Sequence, residues 1–307
     1  MLSRTRSRGR GRREVRGLYF IGPKNIVTTA ISAKVRARKA LGQHFLIDNS
    51  ILNRIAAAAA LTLEDVVLEV GSGLGSLTRR LVQQAGRVVA VEMDSALAAS
   101  LSERLGTPAN LTVVEADART VDIASLVGKE TPYKVVANLP YYAANPIIRR
   151  FLELEPKPLL MVVMVQREVA QSMVASPGET GILSVAVQYY AVPSLVCNVP
   201  PRAFRPPPKV TSSVVKLRLR ESPAVAVADP EAFFTLVRAG FSASRKQLRN
   251  SLGHGLGISG EEAGQLLASA GVDGKRRAET LSLEEWARIY YAWEERNRVG
   301  SPGFRQN

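Results

Sequence analysis

Between residues 66 and 165, short apolar segments alternate with stretches in which apolar residues recur at helical intervals. Five of the segments are almost continuously apolar: 66–70, 88–91, 111–114, 134–137 and 159–165. Helical spacing follows the first two of them, over 74–85 and 96–105. Strands without polar alternation are buried on both faces, which favours a parallel sheet covered by helices on each side. The sequence therefore predicts a doubly wound α/β domain.

The pattern changes after about residue 221, where no strand-like segment follows. Helical spacing is found over 230–241, 244–252, 260–270 and 282–293. Ser282 with Glu285 three residues later is a capping box, which predicts the start of the last helix. We therefore expect a small all-helical C-terminal domain. The expected organisation is a leader (1–32), an α/β domain (33–221), a helical domain (222–295) and a tail (296–307).

The charge of the chain is unevenly distributed. The net charge is +14, of which residues 1–40 carry +11, residues 41–199 carry −3 and residues 200–307 carry +6. The basic leader lacks hydrophobic periodicity and is expected to be disordered. Three interpretations of it stay open: a mis-assigned start codon, a basic arm that binds RNA, and an organellar transit peptide.

Composition excludes several classes of protein. A single Cys and two His leave no disulfide framework and no Cys- or His-rich metal site, so no metal is predicted. The longest apolar run, 159–165, is too short to span a bilayer, so no membrane association is predicted.

A glycine loop, E-V-G-S-G-L-G at residues 69–75, follows the first strand. Its spacing differs from the dinucleotide fingerprint because residue 76 is Ser rather than Gly, which favours a ligand without a pyrophosphate. Glu92 ends the next strand, where an acid can bind both hydroxyls of a ribose. Asp117 follows the third strand and could accept a hydrogen bond from an adenine amine. Together these residues predict a nucleoside pocket at the carboxyl edge of the sheet.

The fourth strand ends in Asn138-Leu139-Pro140-Tyr141-Tyr142, similar to the (Asp/Asn)-Pro-Pro-(Tyr/Phe) motif of methyltransferases that act on exocyclic amines. An aryl amine is a poor nucleophile because its lone pair is delocalised into the ring. The side-chain oxygen of Asn138 and the carbonyl oxygen of Leu139 can accept hydrogen bonds from the two N–H groups of the amine and so direct its lone pair at a methyl donor. Pro140 fixes the turn, and Tyr141 offers a π face for a flipped base.

A proline-rich segment at 199–212 contains a second aromatic residue, Phe204, which could form the other wall around a base. Basic residues on this segment and near residue 247 are predicted to contact RNA phosphates. The predicted RNA-binding residues are Arg202, Arg205, Lys209, Arg245, Lys246 and Arg249. Near the other end of the chain, Asp48 is the expected N-cap of a helix that follows G-Q-H-F-L-I-D.

These motifs together resemble the small-subunit rRNA adenine dimethyltransferases over about residues 34–293. The shared motifs, in order, are G-Q-H-F-L, E-V-G-S-G-L-G, V-E-M-D, the acid Asp117, N-L-P-Y-Y and F-x-P-x-P-x-V-x-S. The resemblance implies a class I methyltransferase domain that uses S-adenosylmethionine. It implies dimethylation at N6 of two adjacent adenines in the 3′-terminal hairpin of 16S rRNA, during assembly of the 30S subunit. It also implies that the helical domain helps to bind rRNA. A monomer is the default expectation, and the expected location is the cytoplasm, with import into an organelle left open by the Arg-rich leader.

The resemblance assigns roles by motif position. The implied cofactor-site residues are His44, Leu46, Gly71, Gly73, Glu92, Asp117 and Asn138, with Gln43 in support. The residues implied to hold the target adenine are Asn138, Leu139, Pro140, Tyr141 and Phe204. His44 stands where many members of the family have Asn, and we expect little effect beyond a pH sensitivity.

Three other functions remain open. The sister family modifies an adenine of large-subunit rRNA for antibiotic resistance, but it more often has Asn-Ile-Pro where this chain has Asn138-Leu139-Pro140. A non-catalytic assembly or transcription factor could retain the fold, although the intact glycine loop, Glu92, Asp117 and Asn138 argue for a working pocket. An NAD-dependent enzyme is disfavoured by the glycine spacing.

Overall fold

A computed structural model describes residues 43–300, so the predicted leader (1–32) and the last part of the predicted tail (301–307) lie outside the described residues. The main sheet contains β2 (Val66–Val70), β3 (Arg87–Glu92), β4 (Leu111–Glu115), β5 (Tyr133–Asn138), β6 (Leu160–Gln166), β7 (Ala191–Val199) and β9 (Ser212–Leu219). The spatial order is β4-β3-β2-β5-β6-β9-β7. A second sheet pairs two short strands, β1 (Phe45–Leu46) and β8 (Phe204–Arg205).

The first five strands of the main sheet are parallel, as their apolar sequences predict. β3 pairs with β2 and β4, and β5 pairs with β2 and β6, each in parallel register. β9 enters between β6 and β7 and is antiparallel to both. The predicted doubly wound α/β sheet is confirmed, and it has an antiparallel edge that the apolar pattern of the sequence does not indicate.

Helices cover both faces of the sheet. They are α1 (Asn49–Ala59), α2 (Thr78–Gln84), α3 (Ser95–Arg104), α4 (Ile123–Val127), α5 (Ala144–Glu153), α6 (Arg167–Val174) and α7 (Ile182–Tyr190). Asp48 caps α1 as predicted, because its side chain accepts hydrogen bonds from the amides of Ser50 and Ile51. The predicted helix at 74–85 is shorter than expected, since α2 begins only at Thr78 after a turn built on the glycines.

Alternate residues of each strand enter different cores. Along β2, Leu68 and Val70 belong to one apolar cluster and Val67 belongs to another. On β6, Val163 and Val162 divide between the two clusters in the same way. Side chains of a strand alternate between faces, so the two clusters lie on opposite sides of the sheet. The parallel direction of β2 to β6 places their carboxyl ends at one edge of the sheet.

The chain after β9 forms four α-helices among the described residues: α8 (Pro230–Gly240), α9 (Leu248–Leu256), α10 (Gly260–Ser269) and α11 (Leu283–Gly300). The Ser282–Glu285 capping box is present, with Glu285 Oε2 accepting the Ser282 amide at 2.9 Å. The helix predicted from residue 244 starts instead at Leu248, and α11 continues past residue 295. Val185 and Tyr189 of α7 share the core of these helices. In the part of the chain that the structure describes, no helix is long and apolar enough to cross a membrane.

Candidate active site

A cavity opens at the carboxyl edge of the parallel strands, with an empty volume of about 1090 Å³ including its mouth. The ends of β2, β3 and β5 line it, together with β1 and β8. All the residues predicted to bind a cofactor or a target base line this cavity: His44, Leu46, Gly71, Gly73, Glu92, Asp117, Asn138, Leu139, Pro140, Tyr141 and Phe204. Residues that are far apart in sequence therefore meet in one pocket, as strand topology requires.

The glycine loop forms one wall of the cavity. Gly71 and Gly73 have φ of +75° and +55°, a region that residues with a side chain rarely adopt. Glu92 at the end of β3 fixes the loop, because its Oε2 accepts the Gly73 amide at 2.8 Å and its Oε1 accepts the Asp94 amide at 2.9 Å. A carboxylate has about four acceptor positions, so both oxygens of Glu92 can still accept hydrogen bonds from a ligand.

Asp117 lies after β4 and binds Arg119, a residue outside the motifs of the sequence. Arg119 donates from Nη2 to Asp117 Oδ2 at 2.6 Å, and its Nε lies 3.0 Å from both carboxylate oxygens. The hydrogen bond from Arg119 holds the pKa of the Asp117 carboxyl below its usual value, so the carboxylate is ionised and oriented. Both residues line the cavity, and the Arg119 side chain is 42% exposed.

Asn138 at the end of β5 is oriented by the backbone of the N-terminal segment. Its Nδ2 donates to the carbonyl oxygen of His44 at 3.3 Å. The nitrogen and oxygen of an amide lie on opposite branches of a planar group, so Oδ1 is left as the acceptor. Leu139 follows, with its amide bonded to the Met164 carbonyl at 3.2 Å and its side chain buried. The turn that carries Asn138 is therefore fixed from both sides.

Tyr141 is held in place at the same turn. Its hydroxyl lies 2.5 Å from Ser212 Oγ on β9, and its ring stacks on His44 with 5.9 Å between the ring centroids. Burial raises the pKa of the Tyr141 hydroxyl, partly offset by the Ser212 hydrogen bond, so the phenol stays neutral. A neutral ring fixed in orientation suits stacking against a base.

The pairing of β1 with β8 brings Phe204 to the cavity. Leu46 lies opposite Phe204, the Ile47 amide bonds to the Ala203 carbonyl at 2.9 Å, and the His44 Nδ1–H donates to the Pro206 carbonyl at 2.9 Å. Phe204 is only 1% exposed, because the strand pair and the surrounding core enclose its ring. Its predicted contact with a base stays a prediction and requires the ring to be uncovered.

One acid in the cavity wall was not predicted to be functional. Glu69, two residues before Gly71, is 1% exposed and lines the cavity. Neither of its carboxylate oxygens has a hydrogen-bond partner among the described residues. The signal in the sequence is a single acid inside an otherwise apolar strand.

The predicted RNA-binding residues lie outside the cavity lining. Their side chains are exposed, on the segment around β8 and at the start of α9: Arg202, Arg205, Lys209, Arg245, Lys246 and Arg249. Contact with RNA phosphates requires exposed side chains, and all six residues meet this requirement.

The cavity suits a small nucleoside ligand with a positive charge. The glycine turns let the ligand approach the backbone, Glu92 and Asp117 supply acceptors at two strand ends, and buried Glu69 supplies an acid without a cation. A Cβ at Gly71 would stand 3.4 Å from the Asn138 carbonyl oxygen, so a side chain there would narrow the cavity. No group of three or more His, Cys, Asp or Glu side chains able to hold a metal occurs among residues 43–300.

Comparison with known proteins agrees with this geometry. The chain matches the family model described as "Ribosomal RNA adenine dimethylase" over residues 34–295. A relative from Dehalococcoides mccartyi, named Ribosomal RNA small subunit methyltransferase A, is 47% identical over 261 residues, which cover 85% of this chain and 90% of the relative. A relative of the same name from Pelotomaculum thermopropionicum is 47% identical over 267 residues, covering 83% of this chain and 90% of its own.

Solved structures give the same result. A dimethyladenosine transferase from Plasmodium falciparum superposes with a TM-score of 0.72 at 25% identity, covering 83% of this chain and 98% of that one. The 23S rRNA methyltransferase ErmE superposes with a TM-score of 0.65 at 30% identity, covering 81% of this chain and 99% of that one. The family model covers the α/β sheet, the cavity and the helices that follow them. The chain belongs to the ribosomal RNA adenine dimethylase family.

Proposed function

We propose that this protein transfers methyl groups from S-adenosylmethionine to N6 of two adjacent adenines in the 3′-terminal hairpin of 16S rRNA. The observation that carries the proposal is Asn138, whose amide nitrogen is bound to the His44 carbonyl so that Oδ1 remains to accept the amine of a base. The relatives named small subunit methyltransferase A, each covered over most of its length, support the choice of the small subunit.

The proposed role of Asn138 is to position the nucleophile. Its Oδ1 and the Leu139 carbonyl oxygen accept hydrogen bonds from the two N–H groups at N6 of the target adenine. These bonds favour a pyramidal N6 whose lone pair faces the methyl donor. Pro140 fixes the turn between them, and the ring of Tyr141, held by Ser212, stacks on the base. No strong general base is needed, because a methylated ammonium loses its proton readily after transfer. Phe204 is proposed to cover the other face of the base when the β1–β8 pair opens.

The cofactor is proposed to lie along the glycine loop. S-adenosylmethionine supplies an electrophilic methyl group when it is bound. Gly71 and Gly73 allow its close approach, Glu92 accepts its ribose hydroxyls and Asp117, oriented by Arg119, accepts its adenine amine. His44 and Leu46 on the N-terminal segment complete the wall.

The exposed basic residues are proposed to bind rRNA phosphates. Arg202, Arg205 and Lys209 adjoin β8, beside the cavity residue Phe204, and Arg245, Lys246 and Arg249 belong to the proposed helical domain (222–295). Contacts of this kind fix the register of the RNA without reading its sequence. We further propose that the protein acts as a monomer in the cytoplasm, on the assembling 30S subunit.

A methyl-transfer assay with labelled S-adenosylmethionine tests the proposal. Undermethylated small subunits and large-subunit rRNA are offered in parallel, and the modified nucleoside is identified by mass spectrometry. Dimethyladenosine only in the small subunit is the expected result. Transfer only to large-subunit rRNA would replace the proposed substrate with that of ErmE-like enzymes. Cofactor binding without transfer to either RNA would favour a non-catalytic assembly factor.

A further inference from the structure

Glu69 is a buried acid in the cavity wall that the proposed mechanism does not use. It occupies the fourth position of β2, with Ala90 of β3 and Val136 of β5 on either side. Its side chain is almost wholly removed from solvent, and neither oxygen has a partner among residues 43–300. Burial without a partner disfavours the charged form of a carboxyl. In the free protein Glu69 therefore keeps its proton to a higher pH than an exposed glutamate does.

The groups that face Glu69 do not supply a positive charge. Glu92 on β3 is the charged group that acts on it, and it has the same sign. The hydroxyl and the backbone amide of Thr78, at the start of α2, face the carboxyl and offset part of this effect. Neither Glu69 oxygen is in a well-formed hydrogen bond within the described residues. Burial, with Glu92 adding to it, raises the pKa of Glu69 to about 8.

The cationic side chains on the neighbouring elements α2 and β5 make their contacts away from Glu69. On α2, Arg79 donates to the Arg104 carbonyl, and Arg80 donates to the side chains of Asn49 and Asn53 on α1. At the start of β5, Lys134 pairs with Asp65, which precedes β2 and so lies at the opposite end of the strand from the cavity. Arg119, which also lines the cavity, is paired with Asp117, and no cation among the described residues acts on Glu69. A ligand in the cavity is therefore the remaining source of a positive charge next to Glu69.

The ligand of the proposed function carries that charge. S-adenosylmethionine contains a sulfonium and an ammonium group against one carboxylate, so it is a net cation. An opposite charge close to a carboxyl favours its ionised form. We propose that Glu69 is a cofactor-binding residue that loses its proton as the cationic methyl donor enters, so that cofactor binding and proton release are coupled. The O–H bond of the carboxyl breaks, and the proton passes to the solvent. This inference rests on the proposed function.

Calorimetric titration of the full-length protein with S-adenosylmethionine measures the released protons directly. The titration is run at pH 7 in buffers of different ionisation enthalpy, so that the slope of heat against that enthalpy counts protons. A carboxyl with a pKa of about 8 is roughly nine-tenths protonated at pH 7, so we expect release of about 0.9 proton per cofactor. The release should disappear at about pH 9.5, where the free carboxyl is already ionised.

Two variants separate Glu69 from other acids. Glu69→Gln should bind the cofactor more weakly and release no proton at pH 7. Glu64→Gln removes an exposed acid five residues earlier and should release as many protons as the wild type. S-adenosylhomocysteine, which keeps the ammonium but lacks the sulfonium, is titrated as well. Release with both ligands supports the proposal with the ammonium as the partner, and release with the methyl donor alone supports it with the sulfonium.

The result that overturns the inference is cofactor binding by the wild type without proton release, or equal release by Glu69→Gln. The proposed function would survive either result, because binding would still be seen. Absence of any cofactor binding would overturn the proposed function and this inference together. If Glu69→Gln does not fold, infrared difference spectra of the wild type decide the matter. The band of a protonated carboxyl should be lost on binding, and its persistence would contradict the proposal.

Discussion

Alanine substitutions at two glycines of the same loop should differ in effect: Gly71→Ala should mainly weaken cofactor binding, and Gly75→Ala should mainly lower stability. Gly71 has φ of +75°, and a Cβ there would meet the Asn138 carbonyl oxygen at 3.4 Å, an ordinary contact. The left-handed conformation costs about 1–2 kcal/mol for a residue with a side chain. Gly75 has φ of +82°, and its Cβ would lie 2.7 Å from Leu101 Cδ1. Overpacking of this kind adds about 1–3 kcal/mol, so Gly75→Ala should cost about 2–5 kcal/mol in total.

The two substitutions also differ in where the new methyl group stands. At Gly71 it projects toward Asn138 and Pro140, which line the cavity, whereas at Gly75 it projects into the core beside α3. Urea unfolding of the free proteins measures stability, and calorimetry measures S-adenosylmethionine affinity. Gly71→Ala should lose more than tenfold in affinity with a modest loss of stability, and Gly75→Ala should be the less stable protein. Wild-type affinity in Gly71→Ala, or a Gly75→Ala protein as stable as Gly71→Ala, would refute the reasoning.

Four further predictions concern the site and the leader. Asn138→Ala should abolish methyl transfer while leaving the urea midpoint near that of the wild type; near-normal transfer would remove the amine-positioning role. Glu92→Ala should weaken cofactor binding by more than ~1.4 kcal/mol, or tenfold in calorimetry, because the carboxylate also anchors the Gly73 amide; unchanged affinity would remove Glu92 from the site. Burial raises the pKa of Glu69 from 4.5 to about 8, so between these pH values the folded protein keeps the Glu69 proton and the unfolded chain does not. The stability that this bound proton contributes is fully present below about pH 4.5 and is lost as the pH rises to about 8. As the pH rises across this range, the free energy of unfolding of Glu69→Gln, measured in urea, should increase by a few kcal/mol relative to that of the wild type. If the two proteins show the same dependence of stability on pH, the burial argument is contradicted. Deletion of residues 1–32 should leave methylation of small subunits largely unchanged, whereas a large loss would identify the leader as an RNA-binding arm.

The parallel part of the sheet could be predicted because its strands are buried on both faces. Five apolar segments and the acids that end or follow them determine β2 to β6 and the edge at which Glu92 and Asn138 meet. β1 and β8 could not be predicted in this way, because two-residue strands carry no periodicity and their partners are far apart in sequence. β9 has alternating residues, but Lys216 and Arg218 on it resemble a basic RNA-binding segment as much as a strand.

The environment of a side chain was harder to predict than its position. The motifs predict that Asp117 and Asn138 line the cavity. The hydrogen bond from Arg119 to Asp117 and the one from Asn138 to the His44 carbonyl depend on turns that no spacing rule describes. Phe204 was expected to offer a face to a base, yet the β1–β8 pair encloses it. Glu69 was overlooked because burial of one acid in a strand depends on what packs against it from α2 and β3.

The order of the strands also constrains how the protein is made. β7 is synthesised before β9, but within the described residues its ladder partner is β9, which separates it from β6. The N-terminal segment likewise has to wait for β8, since Phe45 lies opposite Arg205. A nascent chain that ends before residue 204 therefore lacks β9, the antiparallel partner of β6, and lacks β8, which with β1 lines the cavity. Strand edges exposed in this way are prone to aggregate. The pairings that complete the sheet edge and the cavity wall therefore require residues 204–219, which are synthesised after all five parallel strands.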